Sequence, residues 1–556
     1  MPPQNLIGFG VGDFIELALA VLLFVLALVS RRWIEPFARK LAPKTGWCML
    51  FLALLPVALR LAMLPQHPVP APTVYDEFGH LLVADTLLHF RLATPPHPLH
   101  QFFETFFVLQ TPAYASIYPI GQGLALAVGR AIFGLPWAGV LLSTAAMCAL
   151  CYWMLRGWTT PTWALAGGVL AVIEFGPLNQ WMNSYWGGSV AAIAGCLAFG
   201  ALPRLREGAR ARYGAVLGLG IGLHWLTRPY ETIFLVASVL IFLAPRWRAL
   251  AEPALAAALV LLPVIALSLD HNQRTTGNWS TLPYSLSRHQ YGVPAAFTWQ
   301  SQPQPHLELT PEQQMQYKMQ NSFRSNGQEN VRGYLLRLVY RVRFYRFFFL
   351  APLYVALPFF FANLRQLRCL WLALTLLLFA LGVNFYPFFE AHYLGALTCL
   401  FVLVSVTALA RLNPDVARLI LWLCLAHFLF FYGRTFMDRS PTDRREIVNQ
   451  QLVQSPGKQL VFVRYWPQHI FQDEWVYNAA DIDHARVIWA RDLGAEDQML
   501  LRYYPERTAW LLEPDAKPPK LTRYHTEVEQ QKIQPPAPIT KSPADHKPPL
   551  RFEQVH

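Results

Sequence analysis

The sequence predicts an all-α polytopic membrane protein with a small α/β domain outside the bilayer near its C-terminus. Three observations predict it. Apolar runs of about 20 residues, the length that crosses a hydrocarbon core, recur over most of the chain. Only 14% of the 556 residues are charged and 54% are hydrophobic, with a mean hydropathy of +0.27, whereas soluble domains carry about a quarter charged residues. From Thr442 onward, short strand-like runs alternate with helical ones.

The first apolar run, about 14–29, precedes Arg31 and Arg32 and has no small-residue cleavage site, so it is a retained span. The cluster Arg31, Arg32, Arg39, Lys40 and Lys44 marks a cytoplasmic loop, which places the N-terminus outside. A second span, about 47–64, returns the chain to the outer face, and residues 66–116 form a first outside loop. The run 117–134 is broken by Pro119, Gly121, Gln122 and Gly123 and reads as an interfacial or re-entrant helix. Further spans at about 137–155, 161–177, 187–203, 212–227, 231–245 and 250–268 keep the Arg204–Arg212 cluster inside. A large outside loop, 270–340, precedes four last spans at about 344–362, 369–386, 393–410 and 416–432. About 12 spans result, with both termini outside.

Residues 434–514 are expected to form the small α/β domain. Its strands are at 459–464, 486–489 and 508–512, with a helix at about 495–504. The Pro- and Lys-rich stretch 515–556 reads as a disordered tail. The net charge of +12 sits in short clusters between apolar runs, the pattern of cytoplasmic loops, and calls for no nucleic acid. The seven cysteines all fall in apolar segments without metal-ligand spacing and read as packing residues. No metal or cofactor is expected, since His67, His80, His89, His97 and His100 hold no pair at ligand spacing beside a third ligand.

With this topology Asp76, Glu77, Glu104, Asn183, Arg228, Glu231, Glu390, His392 and Tyr393 gather at one face of the membrane. A charged residue at a span end is commonly only solvated, and it is the convergence that singles these out. Asp76 and Glu77 lie directly beyond a span at the start of an amphipathic helix. An aspartate there can serve as a general base or can cap the helix through Leu81 to Leu88. Arg228, in Leu-Thr-Arg-Pro-Tyr-Glu, can fork onto a lipid phosphate or pair with Glu231. His392 and Tyr393 open a span as site residues or as interfacial decoration.

These residues resemble the GT-C superfamily of glycosyltransferases that use polyprenyl-phosphate sugars, and most of all its family 39-like branch of protein mannosyltransferases and aminoarabinose transferases. The resemblance rests on Tyr75-Asp76-Glu77 in the first outside loop and on Tyr118-Pro119-Ile120-Gly121-Gln122-Gly123, where Ile120 replaces a second proline. Asn183-Ser184-Tyr185-Trp186-Gly187-Gly188, Arg228-Pro229-Tyr230-Glu231 and His392-Tyr393 resemble further elements of a bacterial branch. It covers about residues 47–430, so that 46–433 would be a GT-C-like catalytic domain preceded by an extra span and cytoplasmic loop over 1–45.

The resemblance implies an integral enzyme of a bacterial-type inner membrane with its active site facing outside. It would move a sugar from a polyprenyl-phosphate donor to a hydroxyl on a glycan, lipid or protein acceptor by a single inverting displacement. It makes Asp76 the base and Glu77 its neighbour in the catalytic pair, orienting Asp76 or the acceptor, with Glu104 the alternative second carboxylate and no metal required. Arg228 and His392, with Arg288 and His289 behind them, would stabilise the leaving phosphate. Tyr393, Glu104, Tyr118 and Asn183 complete the substrate-binding set. Two other readings stand beside this one. One is a transporter or flippase of a lipid-linked or anionic substrate, which places its polar residues near the bilayer midplane. The other is a membrane scaffold that recruits partners through its tail.

Overall fold

In lipid an apolar run must satisfy its own backbone polar groups, and a helix does so within one segment. The computed structural model describes residues 10–322 and 330–524, and most of them are helical. Two long helices, α1 (Val11–Leu41) and α2 (Thr45–Ala62), open the chain. The segment 66–116 then folds into α3 (Tyr75–Leu88) and an antiparallel pair, β1 (Val108–Leu109) with β2 (Ala115–Ser116). Next come α4 (Ile120–Phe133), α5 (Pro136–Leu155), α6 (Pro161–Phe175), α7 (Ser189–Glu207), α8 (Ala211–Trp225), α9 (Pro229–Leu243) and α10 (Ala251–Thr276). The large polar segment contributes α11 (Pro283–Tyr291), α12 (Pro311–Ser322) and α13 (Val331–Phe344). The bundle ends with α14 (Leu357–Phe361), α15 (Leu367–Val383), α16 (Thr398–Leu409) and α17 (Pro414–Met437).

The chain is a multi-pass membrane protein. Among the described residues eight helices are long and apolar enough to cross a bilayer: Gly12–Leu41, Thr45–Ala62, Pro136–Leu155, Ser189–Glu207, Pro229–Ala249, Ala251–Thr276, Ala391–Leu409 and Pro414–Met437. α4, α6 and α15 are apolar but shorter. The expectation of 12 spans is therefore matched only coarsely. The span expected at 344–362 is replaced by three short pieces, Tyr345–Phe348, Ala351–Val355 and α14. Pro352 and Pro358 each start a new piece, because proline donates no bond to the preceding turn. α4 has 14 residues, about 21 Å at the helical rise, too short for a core of about 30 Å.

All seven cysteines are buried and unpaired. Cys196 and its neighbours on α7 sit in the main core with Phe199, Cys399 and Phe401. α7 meets the turn Ala391–Leu397 backbone to backbone: a Cβ on Gly195 would stand 1.9 Å from the carbonyl oxygen of Ala396. Small residues let membrane helices approach this closely, and the contact fixes the segment that carries His392 and Tyr393.

The C-terminal region holds α18 (Arg444–Gln454), β3 (Gln459–Val463), β4 (Val487–Arg491), α19 (Asp497–Tyr503), β5 (Thr508–Glu513) and β6 (Lys520–Arg523). The strand order is β4-β3-β5-β6, with β3 parallel to both β4 and β5 and with β6 antiparallel to β5. The strands expected from the sequence are present. The stretch from 515 is ordered as far as 524, because β6 pairs with β5 and covers that edge; residues 525–556 of the expected tail lie outside the described residues.

The sheet shares a core with the segment 66–116, in which Phe78, Phe102, Phe103 and Tyr114 pack with Leu460, Phe462, Tyr477 and Ile488. Phe78 and Tyr477 stack with centroids 4.4 Å apart. Arg491 of β4 forms an ion pair with Glu312 of α12 and lies 3.7 Å from Glu474. The α/β region thus sits on the same face of the bundle as α3.

Gly195→Ala pushes a methyl into a carbonyl that cannot move aside. The expected result is a loss of about 1–3 kcal/mol, the range for overpacking, read as a lower unfolding temperature of the purified protein. Unchanged stability would mean that α7 and the Ala391–Leu397 turn are not in contact.

Candidate active site

Asp76 stands in the first turn of α3, whose backbone N–H groups need a cap. Glu77 supplies it. Its Oε2 accepts from the backbone N–H groups of Thr73 at 2.8 Å and Val74 at 3.2 Å and from the Thr73 hydroxyl at 3.3 Å. Its Oε1 accepts from the backbone N–H of Tyr185 at 2.8 Å. The capping-box acid is therefore Glu77, only 2% exposed.

Asp76 is half-buried and accepts a short hydrogen bond from the Tyr118 hydroxyl. Burial pushes its carboxyl up to about 7; the Tyr118 bond works against this, and the charges of Glu390 and Glu77 add to it. His80, one turn along α3, packs its ring 4.5 Å from that of Tyr118. Burial, with the Arg228 charge, pushes His80 down to about 3, so it is neutral, and its Nδ1 has no partner among the described residues.

Two backbone contacts bring the rest of the wall to this point. Gly121 donates from its N–H to the Leu226 carbonyl at 2.7 Å, and a Cβ there would lie 2.4 Å from Thr227 Oγ1. The segment carrying Tyr118 is thereby joined to the segment carrying Arg228. Gly187 and Gly188, at φ +99° and +123°, make the turn that returns Tyr185 to Glu77.

Arg228 donates to Glu231 at 2.9 Å and lies over the Tyr393 ring at 4.0 Å. Its Nε has no partner among the described residues. Arg228, Glu231, Tyr393 and Arg288 line one cavity of about 290 Å³ together with Tyr284 and Tyr386. Tyr284 packs edge-on against Tyr118 at 5.8 Å and so connects the cavity with Asp76. The lining also has an apolar part, with Trp225, Ile265, Leu269 and Leu282, all of which also present exposed surface.

Not every expected residue joins this wall. His392 packs against Trp186 at 5.2 Å and Tyr393 at 4.9 Å, beside the cavity lining. Asn183 is wholly engaged: its Oδ1 accepts from Arg60 Nε at 2.6 Å, and its Nδ2 donates to the carbonyls of Pro177 and Asn179. Glu104 accepts from Tyr291 at 3.4 Å and Gln313 at 3.2 Å, and burial raises its carboxyl. His289 is exposed and stacks on His306 at 3.8 Å. Arg60, Tyr284 and Tyr386 were not legible as site residues, since each reads in sequence as one more span-end or loop residue. His80 carried a usable signal, its i+4 spacing from Asp76 on one helix face. Among the described residues no three His, Cys, Asp or Glu side chains converge.

The raised carboxyl has a stability signature. Between 3.8, its ordinary value, and about 7 the folded chain keeps a proton on Asp76 that the unfolded chain has released. That contribution to stability falls as pH rises through the window and is flat above it. Asp76→Asn lacks this slope, so its stability relative to the unsubstituted protein should rise from pH 4 to 7 and then level off. A pH-independent difference in denaturant unfolding would mean that Asp76 is not held near neutrality.

No protein-family model matches the sequence, and no curated protein matches it. Solved structures do. ArnT from Cupriavidus metallidurans in the apo state is 12% identical, with a TM-score of 0.51, covering 85% of this chain and 93% of that one. ArnT from the same organism bound to undecaprenyl phosphate gives 12% identity and a TM-score of 0.51 over 84% and 93% of the two chains. The archaeal oligosaccharyltransferase AglB from Archaeoglobus fulgidus, in complex with an inhibitory peptide and a dolichol-phosphate, gives 12% identity and a TM-score of 0.45 over 86% and 70%. The chain has the fold of ArnT, the GT-C fold.

Proposed function

We propose that the chain is a membrane glycosyltransferase that moves a sugar from a polyprenyl-phosphate donor to an acceptor hydroxyl. The observation that carries this reading is the wall running from Asp76 through Tyr118 and Tyr284 to Arg228 and Arg288. It sets a carboxylate poised near neutrality beside a cavity with two guanidinium groups and an apolar side. An apolar wall of partly exposed side chains suits a prenyl chain arriving from lipid, and the guanidinium groups suit its phosphate. That ArnT has been solved with undecaprenyl phosphate agrees with this ligand class.

In the reaction Asp76 takes the proton of the acceptor hydroxyl as its oxygen attacks the anomeric carbon. The bond from that carbon to the phosphate oxygen breaks, the configuration inverts, and polyprenyl phosphate leaves with one more negative charge than it carried as the donor ester. Arg228 and Arg288 stabilise that charge; Glu231 holds Arg228 in place at a cost to its field. Tyr118 orients Asp76, and Glu77 acts as a positioning residue. His392 and Tyr393 shape the site from the Ala391–Leu397 turn, and Glu104, Asn183 and His289 act outside the reacting centre. The enzyme lies in a bacterial-type inner membrane, with Asp76 and the α/β region on the outer face. A transporter needs polar groups at broken helices near the midplane, whereas these lie at the helix ends around α3, α9 and α11.

Asp76→Asn should keep its fold and its donor binding but lose sugar transfer. In the unsubstituted enzyme transfer should rise tenfold per pH unit below about 7 and level off above it, as a base of that pKa requires. Transfer by Asp76→Asn at the normal rate would overturn the base assignment. Arg228→Gln should lower kcat by about 100-fold or more, the effect of removing one donor to a developing charge, as measured with a radiolabelled polyprenyl-phosphate sugar. An effect confined to KM would instead make Arg228 a binding group.

A further inference from the structure

The C-terminal sheet has a feature that the proposed reaction leaves unused. β3 leads through residues 464–486 to β4 on one side, and β5, on the other side of β3, leads through residues 514–519 to β6. The connections leaving two neighbouring parallel strands therefore part in opposite directions. In open α/β sheets such a switch point leaves a crevice outside the carboxyl ends of the strands, and that is where ligands bind.

A crevice of about 510 Å³ lies there. Trp466, Gln468, Ile470 and Asp473 line it from the connection after β3, Asp515 and Lys517 from the connection after β5, and Arg444 from the start of α18. Its walls are tied together. Asp515 accepts from buried His469 Nδ1 at 2.8 Å and from the Trp466 backbone N–H at 2.9 Å. Arg444 forms an ion pair with Asp473 and donates to the Pro514 carbonyl at 3.5 Å. These bonds hold three separate segments around one space.

The chemistry on offer is specific. Trp466 is 44% and Ile470 67% exposed, an apolar surface that the protein itself does not cover. Around them stand two carboxylates, a guanidinium, an ammonium and an amide, with no net charge. An anion would meet Asp473 and Asp515 as well as the cations, and a purely apolar ligand would desolvate four charges without partners. A sugar ring presents an apolar C–H face to an aromatic plane and hydroxyls that both donate and accept at its rim. We propose that this crevice binds a neutral oligosaccharide. If the transfer reaction above holds, and on that reading alone, the oligosaccharide is the glycan class of the acceptor.

The test uses the full chain in lipid nanodiscs, free of sugar-headed detergent, with no donor present. Binding is measured to an array of neutral hexose and N-acetylhexosamine oligomers, beside anionic oligosaccharides and with inorganic phosphate as competitor. The expected result is binding to a neutral oligomer that phosphate does not displace and that Trp466→Ala weakens by about tenfold or more, as for an aromatic anchor. Trp466→Phe should fall between the two, and Lys517→Ala, on the connection after β5, should weaken binding while the unfolding temperature stays unchanged. Asp76→Asn should bind as the unsubstituted protein does, so loss of transfer and loss of glycan binding are read separately. The proposal is overturned by an array with no neutral ligand, by binding to anionic members alone, or by Trp466→Ala and Lys517→Ala both binding normally.

Discussion

The carboxylate of Glu77 takes hydrogen bonds from four donors in two distant segments, and the geometry around Asp76 follows from it. A carboxylate this buried is costly unless its lone pairs are used, and here the backbone of Thr73, Val74 and Tyr185 uses them. Arg60 works on the same segments. It is 2% exposed, holds Asn183 at 2.6 Å and donates to the carbonyls of His67 and Pro68 at 2.9 and 3.0 Å. Between them an acid and a base fix how the chain leaves α2, enters α3 and turns into α7. Neither needs to touch a substrate for the site to depend on it.

This arrangement resolves a choice that sequence spacing leaves open. Two adjacent acids at a helix start can divide capping and chemistry either way. The capping position is N3, three residues beyond the N-cap, and with Val74 as N-cap that residue is Glu77. Asp76, one position earlier, accepts from the Tyr118 hydroxyl. The division of labour was thus legible only once the N-cap was fixed, which a pattern of Pro-rich residues before Tyr75 does not do. Arg228 is a similar case: the sequence offers either a phosphate or Glu231 as its partner, and one guanidinium nitrogen serves Glu231 while Nε has no partner among the described residues.

The order of elements was readable because hydropathy and turn residues act locally. The span over 344–362 was not, because two prolines restart the helix without changing its hydrophobicity. Tyr284 and Tyr386 are not legible for another reason. Their place beside Arg228 arises from long-range packing of the large polar segment against the Asn384–Tyr393 turn, where Thr298 donates to the Phe385 carbonyl at 2.8 Å. No spacing rule relates residues that lie so far apart in the chain. Arg288 was readable as a cation of that loop, but nothing in the sequence separates it from His289, which faces solvent.

The α/β region changes how the wall around Asp76 is to be understood. Its sheet packs its apolar face on α3 through Phe78 and Leu82, and Asp85 of the same helix takes the Ala480 N–H at 2.7 Å while pairing with Arg130 of α4 at 2.8 Å. α3 is therefore held on one side by the helix bundle and on the other by the sheet. The Arg491–Glu312 pair extends the same grip to α12. Removing one partner of a buried pair leaves a charge without compensation and is far more damaging than losing an exposed one, so these contacts make the sheet part of the support of the site. A helix clamped in this way keeps Asp76 at a fixed depth, where burial can hold its carboxyl near neutrality. A freely solvated Asp76 would ionise near its ordinary value.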